Sequence, residues 1–439
     1  MEAVSQDQPA LRRRHIAAAT LGNALEFYDF LTYSFFAIQI GHAFFPGQSG
    51  YASLMLSLAA FGAGFAARPI GALVIGAYAD RVGRRPAMLL SFFMIGAAIT
   101  AMAVIPPYSA IGFVAPVLAI LARLVQGFSL GGEIGSNTAF LLEAAAPEKR
   151  GLSVSWQGAS QNAALFAASL VGIALTSFMP PALVDAWGWR IAFLLGAATV
   201  PFGLWLRSHL PETIHTPDVS ATFVARTALP TTRMGLAARH WRIMVLGLVV
   251  LGTGTIANYI GIYAVTYAQD TLHFSARTGF IAETGNTLIS IAAVLLGGWL
   301  SDRVGRWPVN VGANLALLAL TWPLFAWMVA SRSETALIAG MTIYGFLTNF
   351  SFGSFCAALG ESLPKSIRVT GFATVYSVAI SALGGTTQFV ITWLIHITGS
   401  AMAPAWYVTG SALIGQIAFM LIPESAPVRL QRVPAAMCA

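Results

Sequence analysis

The chain has 439 residues, 57% hydrophobic and only 9% charged, and its mean hydropathy is +0.72. A soluble domain carries about 25% charged residues, so this sequence has too little polar surface to cover a water-soluble fold of its length. A soluble enzyme, a disordered scaffold and a nucleic-acid-binding domain are excluded. The formal net charge of +7 then marks loops on one side of a membrane rather than an acidic partner. The two cysteines, Cys356 and Cys438, make neither a disulfide framework nor a metal pattern, and Cys356 is expected to be a buried packing residue. The polar start and the long first apolar segment predict no cleavable signal peptide.

A bilayer core of about 30 Å needs about 20 apolar residues as a helix. Twelve such segments follow in order, at about 16–41, 52–79, 87–106, 111–143, 151–178, 190–208, 242–268, 280–300, 308–330, 335–360, 369–398 and 403–422. The division expected is an N-terminal tail over 1–15, a six-helix bundle over 16–208, a linker over 209–241, a second six-helix bundle over 242–422 and a tail over 423–439. Of the 24 Lys and Arg, two (Arg68 and Arg123) fall inside spans and three (Arg190, Arg277 and Arg332) on one side, leaving 19 on the other. By the positive-inside rule that side is cytoplasmic, and both termini with it.

Two local patterns recur. Gly76-Ala-Tyr-Ala-Asp80-Arg81-Val-Gly83-Arg84-Arg85 follows the second span, and Gly298-Trp-Leu-Ser-Asp302-Arg303-Val-Gly305-Arg306 follows the eighth, 222 positions later. Glu143 and Arg150 follow the fourth span, and Glu361 and Arg368 the tenth, at an offset of 218. Two independent matches at nearly one offset imply duplicated halves, an architecture that places a transport site at their interface. Carboxylates and guanidiniums packed against helix ends are expected to form an ion-pair gate holding one conformation.

The first of these loops resembles the signature of the major facilitator superfamily, and Arg123-Leu-Val-Gln126-Gly127 resembles that superfamily's second motif. Glu26-Phe-Tyr-Asp29-Phe, Arg68-Pro69-Ile-Gly71, Gln126-Gly-Phe-Ser-Leu-Gly-Gly-Glu133 and Trp187-Gly-Trp-Arg190 resemble the metabolite–proton symporters. Phe44-Phe-Pro46, Ser155-Trp-Gln157 and the region around Gly384-Gly-Thr-Thr-Gln388 are most similar to the citrate and tricarballylate proton symporters. The resemblance runs from about residue 20 to 422. It implies an all-α integral membrane protein of twelve transmembrane helices in two pseudo-symmetric bundles. It also implies a bacterial inner-membrane location and a carrier that is no enzyme. In relatives Arg190 also matters. The sequence departs from the family at Phe27, Ala192 and Trp307.

Ionisable groups inside a bilayer are costly and are functional candidates by default. Here they are Glu26, Asp29, Arg68, Arg123 and Glu133, with Glu283 entering the eighth span and His396 near the outer end of the eleventh. Glu26 and Asp29 share a helix face, which Asn23 continues. At 1.5 Å per residue Asp29 lies roughly 20 Å into its span, and Arg68 roughly 18 Å from the Asp80 turn. The expectation is that Arg123 and Arg68 receive substrate carboxylates, since a guanidinium stays charged and binds them bidentately. Asp29 and Glu26, with Glu133 as a third candidate, are expected to carry the coupling proton. Trp156, Gln157 and Gln161 on the fifth span and Asn258, Tyr259 and Tyr263 on the seventh are polar lining candidates. Gln157, Asn258 and Tyr263 are foremost, although packing is the commoner role of any one such group.

These residues lean toward an anion, and with them the resemblance implies proton symport of an organic tri- or dicarboxylate such as citrate or tricarballylate. Such a carrier needs a small organic anion, protons and the bilayer, with no other cofactor, no metal and no nucleic acid, and is expected to function as a monomer. Other metabolites of the same family (α-ketoglutarate, an aromatic acid, proline or betaine) remain alternatives. A drug–proton antiporter fits less well, because the fifth span lacks that class's Gly-Pro motif. No nucleotide-binding P-loop or nucleophile constellation occurs.

Overall fold

In the computed structural model the described residues are 13–47, 49–82, 84–131, 138, 141–142, 145–208 and 239–430. The described side chains exclude those of Glu26, Asp29, Asp80, Arg84 and some others within helices. Every regular element among these residues is helical. We number the twelve long helices α1 (Arg13–Phe35), α2 (Gly50–Ala66), α3 (Arg84–Val104), α4 (Val114–Leu130), α5 (Arg150–Phe178) and α6 (Trp189–Ser208), then α7 (Trp241–Ile262), α8 (Ala276–Val304), α9 (Arg306–Ser331), α10 (Glu334–Asn349), α11 (Lys365–Ala379) and α12 (Ala403–Met420). One helix falls in each expected span. Eight, some with their continuations, are long and apolar enough to cross a bilayer, and α3 and α4 supply shorter apolar stretches, Leu89–Val104 and Val114–Leu130.

Several spans are broken, some beside a proline or glycine (Pro69, Gly353, Gly384) and one, at Phe36, with neither adjacent. After α1 the chain resumes as Ala37–Phe44, after α2 as Arg68–Val82, and after α10 as Phe352–Ser362. A π turn over Ile380–Gly384 joins α11 to Gly385–Thr398, and another over Tyr267–Thr271 follows α7. Such interruptions free backbone groups at depth and tend to mark working sites.

Helix pairings repeat with a period of six. Contacts join α1 to α5, α2 to α4, α3 to α6 and α3 to α4 in the first half, and α7 to α11, α8 to α10, α9 to α12 and α9 to α10 in the second. Across the halves α5 packs along α8, and α2 along the second part of α11, a pair of contacts that the same pseudo-symmetry exchanges. The fold is two pseudo-symmetric six-helix bundles.

Small residues set these distances. A Cβ on Gly298 would fall 1.9 Å from Ser155 Oγ and 2.6 Å from the Gly151 carbonyl, so α5 and α8 meet almost backbone to backbone. In the first half a Cβ on Gly127 would lie 1.6 Å from the Gly64 carbonyl, and one on Gly71 1.8 Å from that of Phe128. Close backbone approach is the usual means by which membrane helices associate, since lipid offers no hydrophobic drive between them. It also brings Arg68 and Arg123 side by side.

Candidate functional site

Arg68 and Arg123 are 3% and 0% exposed. Both guanidiniums stack on one ring, that of Phe30, each with Cζ 4.3 Å from its centroid. Arg68 also lies over Phe65 at 4.4 Å, and Arg123 over Tyr33 at 4.5 Å and Phe61 at 5.1 Å. Arginine over an aromatic face gains a favourable electrostatic contact, which offsets part of the cost of burying both charges here. Arg123 Nη1 donates to the Phe30 carbonyl (3.3 Å) and to Gln126 Oε1. Its Nε and Nη2 are buried and find no acceptor among the described residues. Donors without partners in a dry interior are costly, and these two nitrogens have the geometry to donate to an acceptor oxygen.

Tyr259 of α7 reaches this aromatic layer from the other half, edge-on to Phe65 with centroids 5.7 Å apart. It also lines a cavity between the halves, together with Phe27 of α1, Gln161 and Asn162 of α5, Asn258 of α7 and Tyr376 of α11. The cavity wall holds amides, hydroxyls and aromatics. Two hydrogen bonds cross it from one half to the other: Gln161 Nε2 to Tyr376 Oη (3.3 Å) and Asn162 Nδ2 to Asn349 Oδ1 (3.1 Å).

Of the expected lining residues, Asn258 faces this cavity, whereas Gln157 and Tyr263 are buried away from its wall. Gln157 accepts from Thr138, and Tyr263 pairs with Thr392 at 2.9 Å. Asn23 donates to Ser160 Oγ (2.8 Å) and the Gln157 carbonyl (3.4 Å), tying α1 to α5. Arg190 is buried against Trp189 and donates to the Ala103 carbonyl at 2.6 Å, joining α6 to the end of α3. Glu26 and Asp29 sit on α1, but their side chains fall outside the described set, and Glu133 lies outside the described residues altogether. Cys356 is 1% exposed, a packing residue as expected.

The ends of the helices that carry most Arg and Lys form a second charged site, the basic rim. Asp302 at the end of α8 accepts the backbone N–H groups of Gly151 (2.8 Å) and Leu152 (2.9 Å), capping α5 of the opposite half with a carboxylate where the helix dipole favours one. Arg306 Nη1 donates to Asp302 Oδ1 at 2.6 Å, and its Nη2 and Nε take the two oxygens of Glu361 at 3.2 and 3.3 Å. Arg150, from the first half, lies 3.9 Å from Glu361. Gly305 turns the chain with φ +119°, which a side chain would strain. Arg303 stacks over Trp299 at 4.0 Å, and Arg368 donates to the Leu363 carbonyl. In the first copy of the turn Arg81 is exposed, whereas Gly83 and Glu143 lie outside the described residues, as do the side chains of Asp80 and Arg84.

One member of this network was not anticipated. Glu424 accepts from the N–H groups of Arg306 (3.0 Å), Trp307 (2.9 Å), Ser425 (3.0 Å) and Ala426 (2.9 Å), and Ser425 Oγ donates to Glu361 at 2.7 Å. An acid directly after Pro423 in a basic tail was the available signal.

Comparison with known proteins agrees with this architecture. A model of the Major Facilitator Superfamily matches residues 19–386. The citrate-proton symporter of Salmonella typhi is 37% identical over 426 residues, covering 95% of this chain and 96% of that protein. The citrate-proton symporter of Klebsiella pneumoniae is 36% identical, covering 95% and 93%. The proline/betaine transporter of Salmonella typhimurium is 29% identical, covering 94% and 84%. A crystal structure of a D-xylose-proton symporter superposes with a TM-score of 0.74 over 94% of this chain and 98% of that one, at 17% identity, a likeness of fold.

Proposed function

The chain belongs to the Major Facilitator Superfamily, and from that premise we propose that it carries citrate, or a similar tri- or dicarboxylate, across the membrane together with protons by alternating access. The relatives are transporters, and this protein is a carrier rather than a catalyst. The observation that carries the anion reading is Arg123, whose Nε and Nη2 lie buried without an acceptor among the described residues. A carboxylate entering from the cavity takes these donors when Phe30, Tyr33 and Phe61 move aside, and Arg68 offers a second guanidinium beside the same ring. The cavity amides and hydroxyls, Asn258 among them, then take the hydroxyl and remaining carboxyl oxygens.

Proton coupling is assigned to Asp29 and Glu26, with Glu133 as a third acid. Loading them releases the arginines from internal attraction and makes room for the anion. Asn23, Gln157, Tyr263 and Arg190 hold the helices that frame this site. The basic rim faces the cytoplasm by the positive-inside rule, with both termini on that side of a bacterial inner membrane. The bundles span 16–208 and 242–422, joined by the linker 209–241. The unit of transport is one chain in the bilayer, with no cofactor beyond the coupling proton. The rim network of Asp302, Arg306, Glu361 and Arg150, with its counterpart around Asp80, Arg81, Gly83, Arg84 and Glu143, is the gate on that side.

The test is uptake of labelled citrate into proteoliposomes under an inward proton gradient. Accumulation that collapses with a protonophore is expected, with excess unlabelled tricarboxylate competing and proline not competing. No gradient-driven uptake and no citrate counterflow would overturn the reading.

A further inference from the structure

Helix α8 carries an acid that this reading does not use. Glu283 is 0% exposed and lies about 10 Å along the helix from Ala276, by the 1.5 Å rise per residue. Its Oε2 accepts from Asn286 Nδ2 at 3.0 Å, and its Oε1 has no partner among the described residues. Among those residues no cation lies within 4 Å of it.

The neighbouring elements supply no hidden counter-charge. The hydroxyls of Tyr263, Tyr267 and Tyr344, on α7, its π turn and α10, are engaged with Thr392, the Ala401 carbonyl and the Ala257 carbonyl. Asp270 follows α7, and Glu334 and Arg277 open α10 and α8, with no ion pair to Glu283. Tyr259 and Cys356 sit farther along toward the basic rim, and the charges of Glu148, Lys149, Arg150, Arg242, Arg306, Glu361 and Arg429 are at that rim. An ionised carboxylate with one bare oxygen in such surroundings costs several kcal/mol. The site as built accommodates the neutral acid.

A series of hydrogen-bonded residues leads from this acid to the cavity, passing from the side-chain amide of Asn286 to its backbone carbonyl. Ser290 Oγ donates to the Asn286 carbonyl at 2.7 Å, Asn349 Nδ2 donates to Ser290 Oγ at 3.0 Å, and Asn162 Nδ2 donates to Asn349 Oδ1 at 3.1 Å. Gly345 gives this chain its room, since a Cβ there would meet Asn286 Oδ1 at 2.2 Å and Ser290 Oγ at 2.9 Å. Asn162 belongs to the first half and Asn349 to the second, and both line the cavity. The last link therefore exists only while the halves are together.

We propose that Glu283 is a proton-binding residue of the second half, loaded as the neutral acid in this conformation and coupled to the cavity through Asn286, Ser290 and Asn349. In the step an O–H bond forms from a proton of the aqueous phase. When the halves part and the Asn162–Asn349 link breaks, that bond is cleaved, leaving the carboxylate and returning the proton to cavity water. The inference rests on the proton-symport reading above, and adds a coupling site on the other half from Asp29 and Glu26.

The test compares wild type with Glu283→Gln in proteoliposomes loaded with citrate. One pH unit of gradient drives roughly tenfold accumulation per coupled proton, so E283Q is expected to accumulate about tenfold less while counterflow without a gradient stays within about twofold. Equal accumulation, or loss of counterflow in a variant that melts like wild type, would overturn the proposal. Should E283Q not fold, E283D decides: a moved pH profile of KM supports the site, and an unmoved one removes it. If wild type neither accumulates nor exchanges citrate, it is the substrate reading that fails. The infrared carbonyl band of a protonated carboxyl, present in wild type at neutral pH and absent in E283Q, then tests Glu283 alone.

Discussion

Arg123 and Arg306 are both arginines sealed from solvent, 0% and 1% exposed, yet they are neutralised in opposite ways. Arg306 meets Asp302 and both oxygens of Glu361. Among the described residues Arg123 meets aromatic faces, one carbonyl and one amide, and its Nε and Nη2 have no acceptor. A buried charge with its partners in place holds a structure in one arrangement. A buried charge without them is tolerated only where something else completes it part of the time. Arg306 completes the charge network at the basic rim, and Arg123 lies in the aromatic layer of the first half.

The sharpest way to break this contrast is to truncate each. R123A is expected to lower citrate uptake at least about 100-fold, the loss of roughly 3 kcal/mol of charge-assisted binding, with little change in melting temperature. Saturating citrate stabilises a binding-competent carrier by about 2.7 kcal/mol at 100 times Kd, so thermal shift by citrate should survive in R306A and vanish in R123A. R306A leaves two carboxylates facing each other and is expected to cost about 3 kcal/mol, read as a melting temperature lower by several degrees. A thermal shift retained in R123A would erase the distinction.

Smaller effects sharpen it. D302N keeps the shape of the rim but weakens the cap on α5, and a cysteine placed at Leu152 should then label several-fold faster from the basic side. Y376F removes the acceptor of Gln161 across the cavity, and a hydrogen bond of about 1 kcal/mol predicts a KM raised about fivefold with kcat unchanged. Smallest is Asp270, whose carboxyl is held above its ordinary value by burial, an effect that His273 and His396 oppose. A raised acid favours the folded protein below its unfolded pKa and loses that contribution as pH rises through the folded one. D270N should therefore raise the melting temperature slightly at pH 8, by about 1 °C, and leave the charge contribution at pH 4 unchanged.

Much of this was legible in the sequence because membranes impose simple lengths and charges. The twelve spans follow from hydropathy, the duplicated halves from the paired Asp80 and Asp302 turns, and the placing of Arg68 and Arg123 inside spans from their position in apolar runs, where both are buried. What the sequence hides is three-dimensional closure. Nothing near Phe36 signals a broken helix, since the chain there re-bonds locally, Phe36 N–H to the Tyr33 carbonyl and Ile40 N–H to that of Phe36, whereas Pro69 was an available signal for the break at Ala67. Gln157 and Tyr263 look like cavity residues by helix face, but Thr138 and Thr392 claim them. Glu424 caps α9 from 117 positions beyond Trp307, a partnership that no local pattern records. Glu283 stands out as a charge in a span, whereas its route to the cavity depends on Gly345 of another helix.

The cap on α5 is unusual in what it is made of. Asp302 grips the N–H groups of Gly151 and Leu152, which every amino acid except proline carries. Half of that lock is thus invisible to ordinary substitution. Genetic selections for carriers that open more readily should return changes at Asp302, Arg306 and Glu361 on the second bundle. On the first, apart from Arg150 beside Glu361, the cap itself should yield only to proline or to bulk at Gly151, so the two bundles, though duplicates in shape, will drift at unequal rates along this seam.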